Sequence, residues 1–182
     1  MNNLNLNDET KRAISIAQAL AKENSNANFS PAHLLRAMLH KELSLRDYLD
    51  KDGKDYYFME DWADVRIESY QKASKVDEPT GDEKIKGLFD EAENIRIKLS
   101  KDDIDLIALL AAICTPGIAF TYDQLKTLPI TVAEVMSDNI ESNAVENAIG
   151  GGTKSKSKGG APKAGALSKY CLDKTTQARE GK

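Results

Sequence analysis

A chain of 182 residues, 41% of them hydrophobic, has room for one ordinary domain and a tail. It holds no run of ~18 apolar residues that would cross a membrane, and Met1–Asp8 lacks the basic flank and apolar stretch of a leader, so the expected location is the cytoplasm. Residues 150–182 carry eight Lys/Arg against two Asp/Glu, a tail of +6; with the whole chain at −4, the rest stands at −10. An acidic body of this kind repels nucleic-acid phosphates and suits basic or apolar protein segments.

The first helix is expected from Asn7 or Asp8 through Thr10, Ala13, Ala17 and Leu20, stopping in the polar run Glu23 to Asn28. Ser30 caps a second, with Pro31 at the first helical position, where its missing N–H is harmless, and Leu34, Leu35, Met38 and Leu39 forming the apolar stripe. Ser44 opens a third that reaches Leu49. After the turn at Lys51 to Asp55 the pattern predicts a long helix from Tyr56 to about Lys75, holding Tyr56, Tyr57, Phe58, Trp62 and Tyr70. Asp77 to Gly81 reads as a connection. Ile85, Leu88, Ala92, Ile95 and Leu99 then recur at helical spacing on one stripe. Asp105 caps the next helix, through Leu109, Leu110 and Ile113, which Thr115-Pro-Gly117 breaks; a short helix carries Tyr122 and Leu125. Thr131-Val-Ala-Glu134 is a capping box for the last, which runs toward Ile149. No segment alternates for long enough to predict a strand, so the class is all-α, with about eight helices.

The helices come in two fours. A shift of 75 positions lays Ala17, Leu20, Phe29, Leu34, Leu35, Ala37 and Met38 on Ala92, Ile95, Ile104, Leu109, Leu110, Ala112 and Ile113, and Ser30 on Asp105. The expected architecture is a pseudo-twofold duplicated four-helix repeat over 1–149, with copies at about 7–76 and 82–149. Six glycines, four lysines and two serines then crowd 150–165, so 150–166 reads as a flexible linker. Pattern resumes at Leu167, Tyr170, Cys171 and Leu172.

Catalytic constellations do not stand out. His33 and His40 lie seven apart with only Cys114 as a soft partner, a poor metal set; His33, three after Ser30, is better placed to tie the helix start, and His40 to be solvated. Asp90-Glu91-Glu93 and Asp102-Asp103-Asp105 fit a charged surface and a helix start rather than an acid/base pair. Cys114 and Cys171 are too far apart in context to make a disulfide framework. Gly150-Gly-Gly-Thr-Lys-Ser155 only imitates a phosphate loop, having no Gly-Lys step and no preceding strand. Lys154, Lys156, Lys158 and Lys163 are the residues through which nucleic acid would bind, a reading the acidic body disfavours. No catalytic, cofactor-binding or metal residues are assigned.

The doubled four-helix unit with Phe29-Ser-Pro-Ala-His-Leu-Leu-Arg-Ala-Met-Leu39 resembles the N-terminal domain of Clp-type AAA+ unfoldases, the ClpA, ClpB and ClpV group. Leu167 to Lys182 is similar to the segment that enters the first ATPase module of that group, which makes 167–182 a truncated start of it. The resemblance implies a non-enzymatic recognition domain that offers protein substrates or adaptors to a hexameric motor. ATP and Mg²⁺ are then expected in the absent ATPase modules, and none in this fragment, itself expected to be monomeric. Tyr70 to Gly81 lacks the Arg-Leu-Pro step of ClpB-like connections, and only six residues precede Asn7, too few for the extra N-terminal structure of ClpV-like domains. The acidic body and divergent connection lean toward ClpV-like recycling of contracted type VI secretion sheath subunits, with ClpB-like disaggregation and ClpA/ClpC-like adaptor binding as alternatives.

The repeat also marks a surface. Ile14 and Phe89 are related by the same shift and sit beside the core stripe, next to Ala13 and Leu88. With Leu6, Asn7 and Ile85 they are expected to line one apolar groove for a helical or extended peptide; the alternative is that they broaden a buried stripe. The aromatics at 56–70 form a second candidate surface, although Phe58 and Trp62, four apart, suit a core.

Overall fold

The computed structural model describes residues 3–152. The described residues up to 141 form one compact unit; those from Ser142 onward belong to a second, whose described part is the helical stretch 142–152. The expected ATPase start at 167–182 and all but the first three residues of the expected linker lie outside the described residues.

Helix α1 (Asp8–Glu23) starts where the Asn7 side chain accepts the Thr10 N–H at 2.8 Å, and α5 (Glu83–Lys98) where the Asp82 carboxylate accepts the Ile85 N–H at 3.1 Å. Both are 16 residues long and their caps are 75 positions apart. They also end alike. Ser25 and Ser100 take left-handed φ values of 57° and 55°, and the next residue's N–H reaches back to the helix, Asn26 to the Ala21 carbonyl at 2.8 Å and Lys101 to that of Arg96 at 3.1 Å. These are two copies of one Schellman stop. Thr10, Ala13, Ala17 and Ala21 make the buried face of α1, small enough for close packing on α2 (Pro31–Met38); α5 uses Ile85, Leu88, Ala92 and Ile95 on α6 (Leu106–Cys114).

The remaining helices differ more between copies. In the first, α3 (Leu45–Lys51) and α4 (Tyr56–Glu68) follow; in the second, α7 (Tyr122–Leu125) is shorter and α8 (Val132–Gly152) longer. Thr131 and Glu134 bond reciprocally at the start of α8, the expected capping box, and the helix runs three residues past Ile149. The core brings Leu34 and Leu35 of α2 together with Leu109 and Leu110 of α6, a helix buried at every position but Ile107.

Two expectations are corrected. Short strands exist: β1 (Asn28–Phe29) pairs in parallel with β2 (Thr80–Gly81), and Leu6 bridges Ile104. Two residues are too few to show alternation. The bridge and the ladder are images of each other, because 29 and 81 map to 104 and 6. The Asn7 N–H donates to the Ile104 carbonyl at 3.2 Å and the Asp82 N–H to the Phe29 carbonyl at 3.1 Å. Each copy thus lends the segment before its first helix to the other copy, and this exchange defines the pseudo-twofold.

The second correction concerns α4, which stops at Glu68 and not near Lys75. Tertiary partners take the following residues away. Tyr70 stacks on His33 at 5.6 Å between ring centres, the Gln71 carbonyl accepts from Asn26 Nδ2 at 3.1 Å, and the Ala73 N–H donates to the Ser25 carbonyl at 2.7 Å. The chain is thereby laid along the loop ahead of α2.

Candidate peptide-binding site

Between the copies lies a cleft of about 480 Å³. Phe29 and Phe89 are its buried apolar surfaces, and Leu4, Leu6 and Ile14, each partly exposed, flank them. Asn3, Gln18 and Thr80 supply polar groups; Gln18 Nε2 is held by the Pro79 carbonyl at 3.1 Å. At Gly81, the image of Leu6, the space a side chain would take is already filled by Ile85 and Phe29. A Cβ at Gly81 would stand 2.8 Å from Ile85 Cγ2 and 3.4 Å from Phe29 Cζ, so ladder and helix approach here as only glycine permits.

Of the five residues expected to line a groove, the structure brings Leu6, Ile14 and Phe89 to this cleft. Asn7 is instead the α1 cap, its side chain engaged with the Thr10 N–H. Ile85 is buried beneath Gly81 and belongs to the core. Phe89, 2% exposed, widens the buried stripe of α5 and also forms part of the cleft wall. Asn3, Leu4, Gln18, Phe29, Thr80 and Gly81 complete the lining without having been expected there. Two of these carry a signal in the sequence, since Gly81 is the image of Leu6 and Gln18 lies one helical turn beyond Ile14. Leu4 and Phe29 enter only through strand pairing.

The other candidates have structural duties. His33 accepts the Ser30 N–H at Nδ1 (3.0 Å), which places its proton on Nε2, facing Asn26 Oδ1 at 3.0 Å. Burial, with Lys72 nearby, lowers its pKa to about 4, so the ring is neutral at pH 7 and completes the α2 capping box. The Cys114 thiol is buried and pushed up to about 12, first by desolvation and then by Glu134. Glu93 pairs with Arg96, which holds its carboxyl below the usual range, and Asp105 caps α6 while contacting Lys101. Among the described residues no three His, Cys, Asp or Glu side chains gather as a metal site would require.

The aromatic set divides. Trp62 is buried, its Nε1 donating to Thr127 Oγ1 at 2.7 Å, its ring meeting Phe120 edge-on at 4.9 Å with the Arg66 guanidinium 3.2 Å from its centre. Tyr57 and Phe58 stay exposed. Beside them Glu60 is buried between Arg36 and Arg46, joining α2, α3 and α4.

Fold and site define a class: an all-α domain of two fused four-helix copies that exchange segments beside an apolar cleft. Residues 5–127 match the Clp repeat (R) N-terminal domain, and the chain belongs to that family. Among solved structures it is similar to the N-domain of ClpV from Vibrio cholerae (TM-score 0.64, 19% identity, 77% of this chain and 86% of that one). It is also similar to the Hsp104 N-terminal domain from Candida albicans (0.62, 17%, 76% and 91%). A third similar structure is a ClpV N-domain in complex with a VipB peptide (0.56, 22%, 74% and 88%). No curated protein matches the sequence. No helix among the described residues is long and apolar enough to cross a membrane.

Proposed function

We propose that this chain is the substrate- or adaptor-recognition domain of a Clp-family AAA+ unfoldase, and that it takes an apolar peptide segment, helical or extended, in the cleft between its two copies. The carrying observation is the cleft itself: apolar side chains from both copies converge on a partly open space in a domain of this family. An opening of this size suits one or two apolar side chains of a peptide whose backbone meets Asn3, Gln18 and Thr80. The domain itself performs no catalysis on this reading. The hexameric ring, with its ATP and Mg²⁺, belongs to the parent protein, for which residues 150–166 supply a tether and 167–182 the entry to the first ATPase module, in the cytoplasm.

The favoured partner is a sheath subunit of a contracted type VI secretion apparatus. Its support is that a domain of the same fold has been solved as a complex of a ClpV N-domain with a VipB peptide. Fluorescence anisotropy with labelled VipB peptide and with labelled unfolded casein separates the readings. Binding of the VipB peptide alone supports the sheath; casein binding alone moves the domain to disaggregation. In either arm Ile14→Ser and Phe89→Ser, checked for folding by circular dichroism, should weaken binding roughly tenfold or more, the scale of losing one apolar anchor. Undiminished affinity in the folded variants would remove the cleft from the account.

A further inference from the structure

Helix α4 carries a second exposed feature, well separated in kind from the cleft. Its solvent side presents Tyr57, Phe58 and Val65 at 62%, 47% and 65% exposure, with Asp61 and Glu68 exposed among them. Positions 57, 61, 65 and 68 follow one another at helical spacing, with 58 alongside, so the five side chains share a face about 100° wide. The opposite side, with Met59, Glu60, Trp62, Ala63 and Ile67, is buried and carries the packing of α4, while Tyr57 leans on the Tyr56 ring with 4.4 Å between centres. Under the shift of 75 the images of Tyr57 and Asp61, Val132 and Met136 on α8, pack partly against the core, while those of Phe58 and Val65, Ala133 and Ile140, are exposed.

We infer that this α4 face docks a basic amphipathic helix of a partner protein, with leucine-like side chains over Tyr57, Phe58 and Val65 and lysines or arginines beside Asp61 and Glu68. Charge selects the occupant. A second copy of this domain would set Asp61 and Glu68 against their own like, and nucleic acid or an anionic membrane would be repelled by them and by the acidic body. A basic helix meets both requirements, apolar area for the rings and cations for the carboxylates. The surface is distinct from the cleft, so both can be occupied at once.

The test uses the whole chain and two synthetic helical probes with one leucine face, flanked by lysines in one and by glutamates in the other. Anisotropy should show saturable binding of the lysine probe only. The double variant Asp61→Lys/Glu68→Lys and the variant Phe58→Ser should each weaken it about tenfold. Asp90→Lys/Glu91→Lys on α5 should leave it within about twofold. Equal losses from the α5 reversal would show non-specific attraction to an acidic body and overturn the inference. So would unchanged binding in the α4 variants, or equal binding of both probes.

Discussion

The two copies share helix ends and core positions and differ in the side chains that secure them. Caps at Asn7 and Asp82, stops at Ser25 and Ser100, and exchanged bonds at Asn7–Ile104 and Asp82–Phe29 coincide under the shift of 75. The side chains that secure them diverge. Around α2 the first copy uses polar devices, the neutral His33 in its capping box and Glu60 between two arginines; around α6 the second is uniformly apolar with a carboxylate cap. Such divergence shows which features the fold requires, hydrogen-bonded ends and small or aliphatic packing stripes, and which are free to serve a partner. The exposed α4 face belongs to the second kind, whereas Gly81 is held by the fold through its close approach to Ile85.

The strongest way to break this comparison is to damage matched core positions. Leu34 and Leu109 are fully buried images, and Leu→Ala at either should lose about 3 kcal/mol by urea unfolding. Near-equal losses in one cooperative transition mean one shared core. A silent change in either copy, or two separate transitions, would mean independent halves.

Acid should separate the copies next. His33 has a folded pKa of about 4, below its unfolded value near 6.5, so the unfolded chain binds the proton first as pH falls. Its contribution is intact above pH 6.5 and is lost progressively down to pH 4, about 2 kcal/mol between pH 7 and pH 5. His33→Gln keeps a capping-box partner for Ser30 and removes the titrating ring, so urea midpoints of this variant should flatten across that window. An unchanged pH slope would contradict the assignment.

A smaller effect sharpens the likeness. Ser25 and Ser100 occupy left-handed conformations that glycine adopts without strain, so Ser25→Gly and Ser100→Gly should each stabilise by about 0.5 kcal/mol, and by the same amount. Unequal signs in thermal unfolding would show that the two stops are not equivalent.

Much of this was legible in sequence because helices announce themselves locally. Spacing at 85, 88, 92, 95 and 99, with Asp105 and the Thr131/Glu134 pair as punctuation, places elements from their own residues. The strands and the end of α4 were not, since both depend on partners distant in the chain: Phe29 needs Gly81, and residues 70–73 follow the loop at 25–33. The site divides likewise. The shift of 75 leads to Ile14 and Phe89, which line the cleft, whereas Asn7 caps α1 and Ile85 is a buried wall, because sequence proximity to a stripe does not tell a cap or a wall from a lining.

The central claim, that peptide enters between the copies, is tested most directly by amide chemical-shift mapping of the chain titrated with the VipB peptide and, separately, with unfolded casein segments. The account predicts perturbations concentrated at residues 4–6, 14, 18, 80–81 and 89 for the peptide that binds, and their loss in Ile14→Ser while α4 signals stay still. Binding that leaves those amides unmoved, or that persists in Ile14→Ser with the same pattern, would contradict it.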